Sequence, residues 1–162
     1  MKIQIRKTYI LFLAISLVIL AFLPMHVLTI EAMYSNEVYL IEPFNEDDTF
    51  IMKWIHSVEL EPWEEWFAID KEGIVLQKTR FKAFGAGVPD SAGKEIYMED
   101  DYIVFDQIDT KMPSLTYGIS PLAQHTLIIK NKEYPLYKSL PADTGISINY
   151  KKIALIKYLI LR

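Results

Sequence analysis

Short apolar runs separated by turn residues fill most of the chain after residue 36, and this pattern predicts antiparallel β-strands. Residues 50–58 alternate most clearly, with a large apolar or aromatic side chain at every second position. Residues 65–69 and 74–84 flank Asp70-Lys71-Glu72-Gly73, which has the composition of a four-residue hairpin loop with glycine where a positive φ is needed. The other predicted strands are residues 38–41, 95–98, 102–105, 115–119, 125–130, 134–136 and 146–150.

Strands this short and frequent are typical of a β-sandwich or a partly open barrel. About 120 residues are enough for two packed sheets around one core. No internal repeat or low-complexity tract interrupts this region, so we expect a single all-β, antiparallel domain. The last twelve residues, 151–162, are basic and apolar, and they fit either a closing strand or an amphipathic segment that returns to the membrane.

The N-terminal segment has a different pattern. Lys2, Arg6 and Lys7 precede an apolar run over residues 9–23, and no acidic residue occurs before Glu31. The stretch from residue 8 to residue 30 is long enough for a membrane helix, which needs roughly 20 apolar residues. The basic flank should stay in the cytoplasm, so the rest of the chain is expected on the other side of the membrane.

This segment is either an uncleaved signal anchor or a cleaved signal peptide. A signal peptide has an apolar core of roughly 7–15 residues followed by a small-x-small cleavage site. The run over residues 9–23 fits that length, but the nearest cleavage candidate ends at Ala32 and has Ile30 two positions earlier. We therefore expect one transmembrane or signal helix over residues 1–32 and an extracytoplasmic β domain over residues 33–162, which is secreted if the signal is cleaved.

Composition and charge narrow the classes of function. The chain has 162 residues, no cysteine and a net charge of −4. The lack of cysteine excludes disulfides, thiolate nucleophiles and thiolate metal sites. The acidic balance argues against nucleic-acid binding, which needs a basic surface. All 21 acidic residues lie between residues 31 and 150, so the sequence predicts an acidic body between two basic, apolar ends.

The densest group of polar side chains lies in residues 54–67, which contain one histidine, four carboxylates and three tryptophans. Pro62 cannot donate a ladder hydrogen bond, so we expect a bend there that turns Glu59 and Glu64 towards His56. Such a set can hold a divalent cation. Alternatively, it is an acidic loop in which a carboxylate orients the histidine ring.

The three tryptophans of this segment suggest a pocket. Binding pockets favour aromatic side chains with a few polar groups, although strand tryptophans also fill sandwich cores. We expect Trp54 in the core, and Trp63 and Trp66 at a rim beside the bend.

Two further clusters carry candidate chemistry. Arg80 precedes a loop with Gly85 and Gly87, whose backbone N–H groups could bind a carboxylate or phosphate together with the guanidinium. The alternative is a tight loop at a strand end, with Arg80 paired to a glutamate. The third cluster is His125 at the start of a strand. A Ser57–His125–acid triad is formally possible, but no nucleophile elbow surrounds Ser57.

The order of these three clusters resembles the bacterial domain-of-unknown-function family numbered 1850. The motifs are HSVE-x-x-PW-x-E from His56 to Glu65, TRF-x-x-FGAG-V-P over residues 79–89, and HTL over residues 125–127. The resemblance covers roughly residues 36–150. It implies a small exported or membrane-anchored protein, of a kind often encoded beside or fused to permeases of tripartite ATP-independent periplasmic (TRAP) transporters of the TAXI type. No catalytic activity is established for that family, so the resemblance carries over no catalytic residue.

We therefore expect a non-enzymatic accessory or interaction module at the outer face of the membrane, without a cofactor, whose partner is a TRAP permease or solute-binding protein. The alternative is a metal- or small-anion-binding protein, or a metal-dependent hydrolase, that uses His56, Glu59 and His125. A third hypothesis is an envelope assembly module in which the motifs only stabilise turns. The predicted ligand-binding residues are His56, Ser57, Glu59, Glu64, Arg80, Gly85, Gly87 and His125.

Overall fold

The computed structural model describes residues 2–35, 37–71, 73–84 and 92–162. The helices of this part of the chain are α1 (Lys2–Ala21), α2 (Leu136–Ser139) and α3 (Leu155–Leu161). The strands are β1 (Pro24–Ala32), β2 (Val38–Pro43), β3 (Thr49–Ile55), β4 (Pro62–Asp70), β5 (Gly73–Phe81), β6 (Glu95–Glu99), β7 (Tyr102–Asp106), β8 (Thr110–Met112), β9 (Leu115–Ile119), β10 (Thr126–Ile129), β11 (Lys132–Pro135) and β12 (Thr144–Ala154).

The strands form two antiparallel sheets. The small sheet has the order β2-β1-β12-β9, and the large sheet has the order β11-β10-β3-β4-β5-β7-β6, with β8 also paired to β5. Inward-facing side chains of both sheets meet in one core. Leu28 and Ile148 come from the small sheet, while Phe50 and Phe67 stack on each other in the large sheet with ring centroids 5.0 Å apart. The predicted antiparallel β fold is confirmed, and of the two predicted forms the structure has two packed sheets, neither of which closes into a barrel within the described residues.

Residues 24–32 differ most from the sequence prediction. They were expected to complete the membrane segment, but they form β1, which pairs with β12 from Pro24↔Ala154 to Ala32↔Ile146 and with β2 on its other side. Helix α1 therefore ends at Ala21 rather than at residue 30, and the β domain begins at Pro24 rather than at residue 33. Among the described residues, none of the helices combines the length and the apolar character needed to cross a membrane.

The C-terminal segment combines a strand with a helix. Strand β12 continues to Ala154, and α3 follows directly. The backbone N–H of Leu155 donates to the carbonyl of Leu23 at 2.9 Å, so α3 begins beside the exit of α1. Tyr158 packs against Val27 and Ile41 on the outer face of the small sheet. The closing strand thus exists, and the last residues cover the sandwich from outside.

The hairpin between β4 and β5 forms where the sequence predicts it. Its strands pair as far as Asp70↔Gly73, and Gly73 has a φ of +136°. The N–H of Gly73 donates to the Asp70 carboxylate at 3.0 Å, which stabilises the turn. Pro62 is the first residue of β4, where a missing ladder donor is tolerated. The connection between β3 and β4 is therefore a loop over residues 56–61.

Candidate functional site

Four aromatic rings lie in one row across the large sheet. Trp54 on β3 is opposite Trp63 on β4, which is opposite Phe81 on β5, and His125 immediately precedes β10 on the far side of β3. Successive ring centroids are 6.2 Å apart for His125–Trp54, 5.5 Å for Trp54–Trp63 and 5.1 Å for Trp63–Phe81. Directly opposed residues of neighbouring strands share a face, so the sheet register creates this row.

His56 stands beside this row, in the loop after β3. Its ring stacks on Trp63 with centroids 5.5 Å apart and an interplanar angle of 24°. Its Nδ1 atom contacts the carboxylate of Glu59. The backbone of the same residue holds the loop closed, because its N–H donates to the Glu61 carbonyl at 2.8 Å and its carbonyl accepts from the Leu60 N–H at 3.0 Å. Glu59 therefore orients the imidazole, as in the second of the two predicted arrangements.

Glu65 is a carboxylate on the inward face of β4, between the buried rings of Trp63 and Phe67. The hydroxyl of Tyr117, which reaches across from β9 of the small sheet, donates to its Oε2 atom at 3.1 Å. Burial raises the pKa of Glu65 to about 7, and the hydrogen bond from Tyr117 opposes this shift. Burial, together with the charge of Glu65, also raises the pKa of Tyr117. Glu65 therefore changes its charge near neutral pH.

His125 is held as a neutral ring. The backbone N–H of Ser120 donates to its Nδ1 atom at 3.4 Å, and burial lowers the pKa of the imidazole from its ordinary value of 6.5. Its ring lies 6.1 Å from that of Tyr117. At pH 7 the proton of this histidine is therefore on Nε2 and the side chain carries no charge.

A cavity of about 570 Å³ opens beside the row of rings, between the two sheets. Its volume lies within the range of small-molecule sites. Its polar groups come from strands and loops of both sheets, and two tryptophans contribute to its apolar surface. The lining residues are Trp54, Ile55, His56, Ser57, Trp63, Glu65, Gly118, Ser120, Leu122, Ala123 and His125.

Glu64 and Arg80 lie on the opposite face of the large sheet. They are direct partners in the β4–β5 register, one position away from Trp63 and Phe81, so alternation turns them outward. The Nε and Nη2 atoms of Arg80 are 3.0 and 2.8 Å from Oε2 of Glu64. The guanidinium also lies 4.4 Å from the ring centroid of Tyr102. Glu64 therefore does not join His56, and Arg80 belongs to an outer-face cluster.

The predicted residues are thus only partly brought together. His56, Ser57 and His125 line the cavity, and Glu59 supports it through His56. Gly85 and Gly87 lie outside the described residues. In the described part of the chain, no group of three or more histidine and carboxylate side chains is arranged to hold a metal ion. The predicted metal set of His56, Glu59 and His125 is therefore not assembled.

The sequence prediction was right that Trp54 packs against the core, but it was wrong to place Trp63 and Trp66 at a rim, and it did not select Glu65 or Tyr117. Trp63 is 7% exposed and belongs to the row, whereas Trp66 lies on the outer face under Lys78. The sequence does contain a feature that could have identified Glu65. It shares one strand face with Trp63 and Phe67, and a carboxylate on an apolar strand face is unusual.

These features define a two-sheet β-sandwich with an aromatic cavity that contains a partly buried carboxylate. The model of the family described as domain of unknown function (DUF1850) matches residues 50–136, more than half of the chain, and the protein belongs to this family. The matched region includes every residue that lines the cavity. No curated protein and no solved structure matches the chain. The predicted family is thereby confirmed.

The pair of Glu64 and Arg80 should make a modest contribution to stability. Replacing them with glutamine and methionine, singly and together, is expected to give a coupling energy of about 0.5–1 kcal/mol, because the pair is partly exposed to solvent. Denaturant unfolding of the three variants would measure it. A coupling energy well above this value would mean that the pair is more strongly desolvated than its position indicates.

Proposed function

We propose that this protein is a non-enzymatic binding module that α1 holds at the outer face of the cytoplasmic membrane and that serves a solute transporter. Its aromatic cavity would receive a small ligand or a side chain of a transporter subunit. The observation that carries this proposal is the cavity itself, which places a partly buried carboxylate beside two stacked tryptophans.

The contacts of the two histidines fix both rings in the wall of the cavity. The Nδ1 atom of His56 contacts Glu59, and that of His125 accepts from the Ser120 backbone. Both rings also stack on tryptophans. These contacts hold the imidazoles as parts of the cavity wall.

The exposure of α1 supports a position at the membrane. Its consecutive residues Tyr9, Ile10, Leu11, Phe12 and Leu13 are each 58–71% exposed, so apolar side chains surround the whole helix. A helix that is apolar on all sides is buried in a large protein or in lipid. The basic residues precede this stretch, so with α1 as its anchor the β domain would lie on the side of the membrane away from the cytoplasm.

The surface beside α1 continues this apolar region. Phe22 and Leu23 at its exit are exposed, and so are Ile156 and Leu159 of α3, which begins next to Leu23. Lys152, Lys157 and Arg162 lie close to these residues in the chain and can meet lipid headgroups. The β domain would therefore rest on the bilayer with α3 facing it.

The transporter as partner is suggested by the family resemblance. Crosslinking of the full chain in its native membrane, followed by mass spectrometry, tests it. We expect the wild-type protein to capture a transporter permease or solute-binding protein. Glu65→Gln should reduce this capture, whereas Glu64→Gln, the same change one residue away on the outer face, should not.

Two outcomes would contradict the proposed function. In the first, the full chain is recovered entirely without membranes. In the second, no transporter subunit is captured, or capture is equal for Glu65→Gln and wild type. Circular dichroism of each variant would establish that it is folded before its capture is compared.

A further inference from the structure

The charges around the cavity are unevenly distributed. Neither lysine nor arginine occurs among its described lining residues, and Glu65 is the one carboxylate among them. His56 already contacts Glu59, and His125 is neutral at pH 7. Arg80 is paired on the outer face of the sheet. The cavity therefore offers a negative charge and no side-chain cation to balance it.

The hydrogen bonds at the cavity wall also disfavour an anion as ligand. The indole N–H of Trp63 donates to Thr79 at 2.8 Å, and that hydroxyl donates to the Glu64 carbonyl at 3.2 Å. The hydroxyl of Tyr117 donates to Glu65. Two donors that could have met an anion are thus already used inside the protein.

From these observations we propose that the cavity binds an organic cation, a solute that carries an ammonium group. Its positive charge would lie against the carboxylate of Glu65, and its apolar part would pack along Trp54 and Trp63. The inference rests on the proposed function, because it assigns the class of ligand to the same cavity.

Two physical effects favour such a ligand. A carboxylate removed from water is costly unless an opposite charge accompanies it, and a bound ammonium supplies that charge. The indole rings of Trp54 and Trp63 also offer apolar surface against which the uncharged part of the ligand can be buried. Tyr117 would keep its hydrogen bond to the ionised carboxylate, so binding would not leave its hydroxyl without a partner.

The test compares three probes of one shape with the full chain in a non-ionic detergent. The probes are phenethylammonium, the anion 3-phenylpropionate and the neutral 3-phenylpropanamide, followed by tryptophan fluorescence and calorimetry. We expect phenethylammonium to bind more tightly than either of the other two. Glu65→Gln should weaken its binding at least about tenfold, because a charge-assisted contact is lost. Glu64→Gln should leave it unchanged.

The pH dependence of the affinity for phenethylammonium provides a second test. The groups that face Glu65 are Tyr117 from β9, His125 before β10 and His56 after β3. Raising the pH ionises Glu65, so the affinity for phenethylammonium should increase about tenfold between about pH 6 and pH 8. In Glu65→Gln this increase should be largely absent, and any remainder would report the two histidines.

Several results would overturn the inference. In the first, 3-phenylpropionate binds as tightly as phenethylammonium or more tightly. In the second, Glu65→Gln binds phenethylammonium as tightly as the wild type does. In the third, the wild type does not bind phenethylammonium at about 10 mM. The outcomes also separate this inference from the transporter role. Cation binding without capture of a transporter subunit would leave a self-contained binding protein, whereas capture without cation binding would leave a docking surface for a protein side chain.

Discussion

A chain that begins at Met33 is expected to remain unfolded, whereas a chain that begins at Phe22 is expected to fold. The difference is β1, which lies between β2 and β12 in the small sheet. It contributes Leu28 and Ile30 to the core and Val27 to the contact with α3, and all three side chains are buried.

The stability expected to be lost with β1 is larger than the whole free energy of unfolding of a typical domain of this size. Truncating one buried leucine or isoleucine costs about 2–5 kcal/mol, and the whole domain is expected to be stable by about 5–15 kcal/mol. Removal of β1 also exposes the inner edges of both β2 and β12. Far-UV circular dichroism and thermal unfolding of the two truncated chains would measure the effect.

A cooperative unfolding transition in the chain that begins at Met33 would contradict this expectation. The same experiment bears on cleavage of the N-terminal segment. Cleavage at Ala32, the nearest small-x-small candidate in the sequence, would remove β1 and produce that unfolded chain. A mature protein with its N terminus at Met33 is therefore not expected.

Glu65 is expected to make the protein less stable as the pH rises from about 4.5 to 7. Its pKa is raised from 4.5 to about 7 in the folded state, so in this window the folded protein holds a proton that the unfolded chain has released. Stability falls with pH wherever the folded state binds more protons. Each pKa unit corresponds to about 1.4 kcal/mol, so the full effect is about 3 kcal/mol.

Denaturant unfolding of wild type and Glu65→Gln at a series of pH values would measure how much Glu65 contributes to the pH dependence of stability. His125 acts in the opposite direction, because its lowered pKa makes stability rise as the pH approaches 6.5. Because both proteins contain His125, subtracting their free energies of unfolding at each pH removes its contribution and leaves that of Glu65. Glu64→Gln is the matched control and should retain the wild-type profile. Parallel profiles for wild type and Glu65→Gln would show that the carboxyl of Glu65 is not desolvated.

Local patterns along the chain were sufficient to predict much of the fold. The alternation in residues 50–58 corresponds to β3 only as far as Ile55, since residues 56–58 lie in the following loop. The turn at Asp70–Gly73 corresponds to the β4–β5 hairpin, because strand faces and tight turns depend on residues close in sequence. His56 and Glu59 are three residues apart, and their proximity was foreseeable for the same reason.

The face of each strand could not be assigned from the sequence in the same way. Sequence reasoning placed Glu64 near His56, whereas the structure turns Glu65 inward. A shift of one residue exchanges the two faces of a strand, and the phase depends on where the strand begins after the loop. Pro62 begins β4, and pairing with β3 then places Trp63 and Glu65 on the inner face.

The sequence by itself determined the β class, most of the strands, the family and the segment around His56, since these depend on composition, alternation and short-range motifs. Only the tertiary structure assigned residues 24–32 to a sheet, because their partner β12 lies more than 100 residues later. It also decided the cavity: the hydrogen bond between Tyr117 and Glu65 spans 52 residues and two sheets, and no local pattern encodes a contact made by packing one sheet on another.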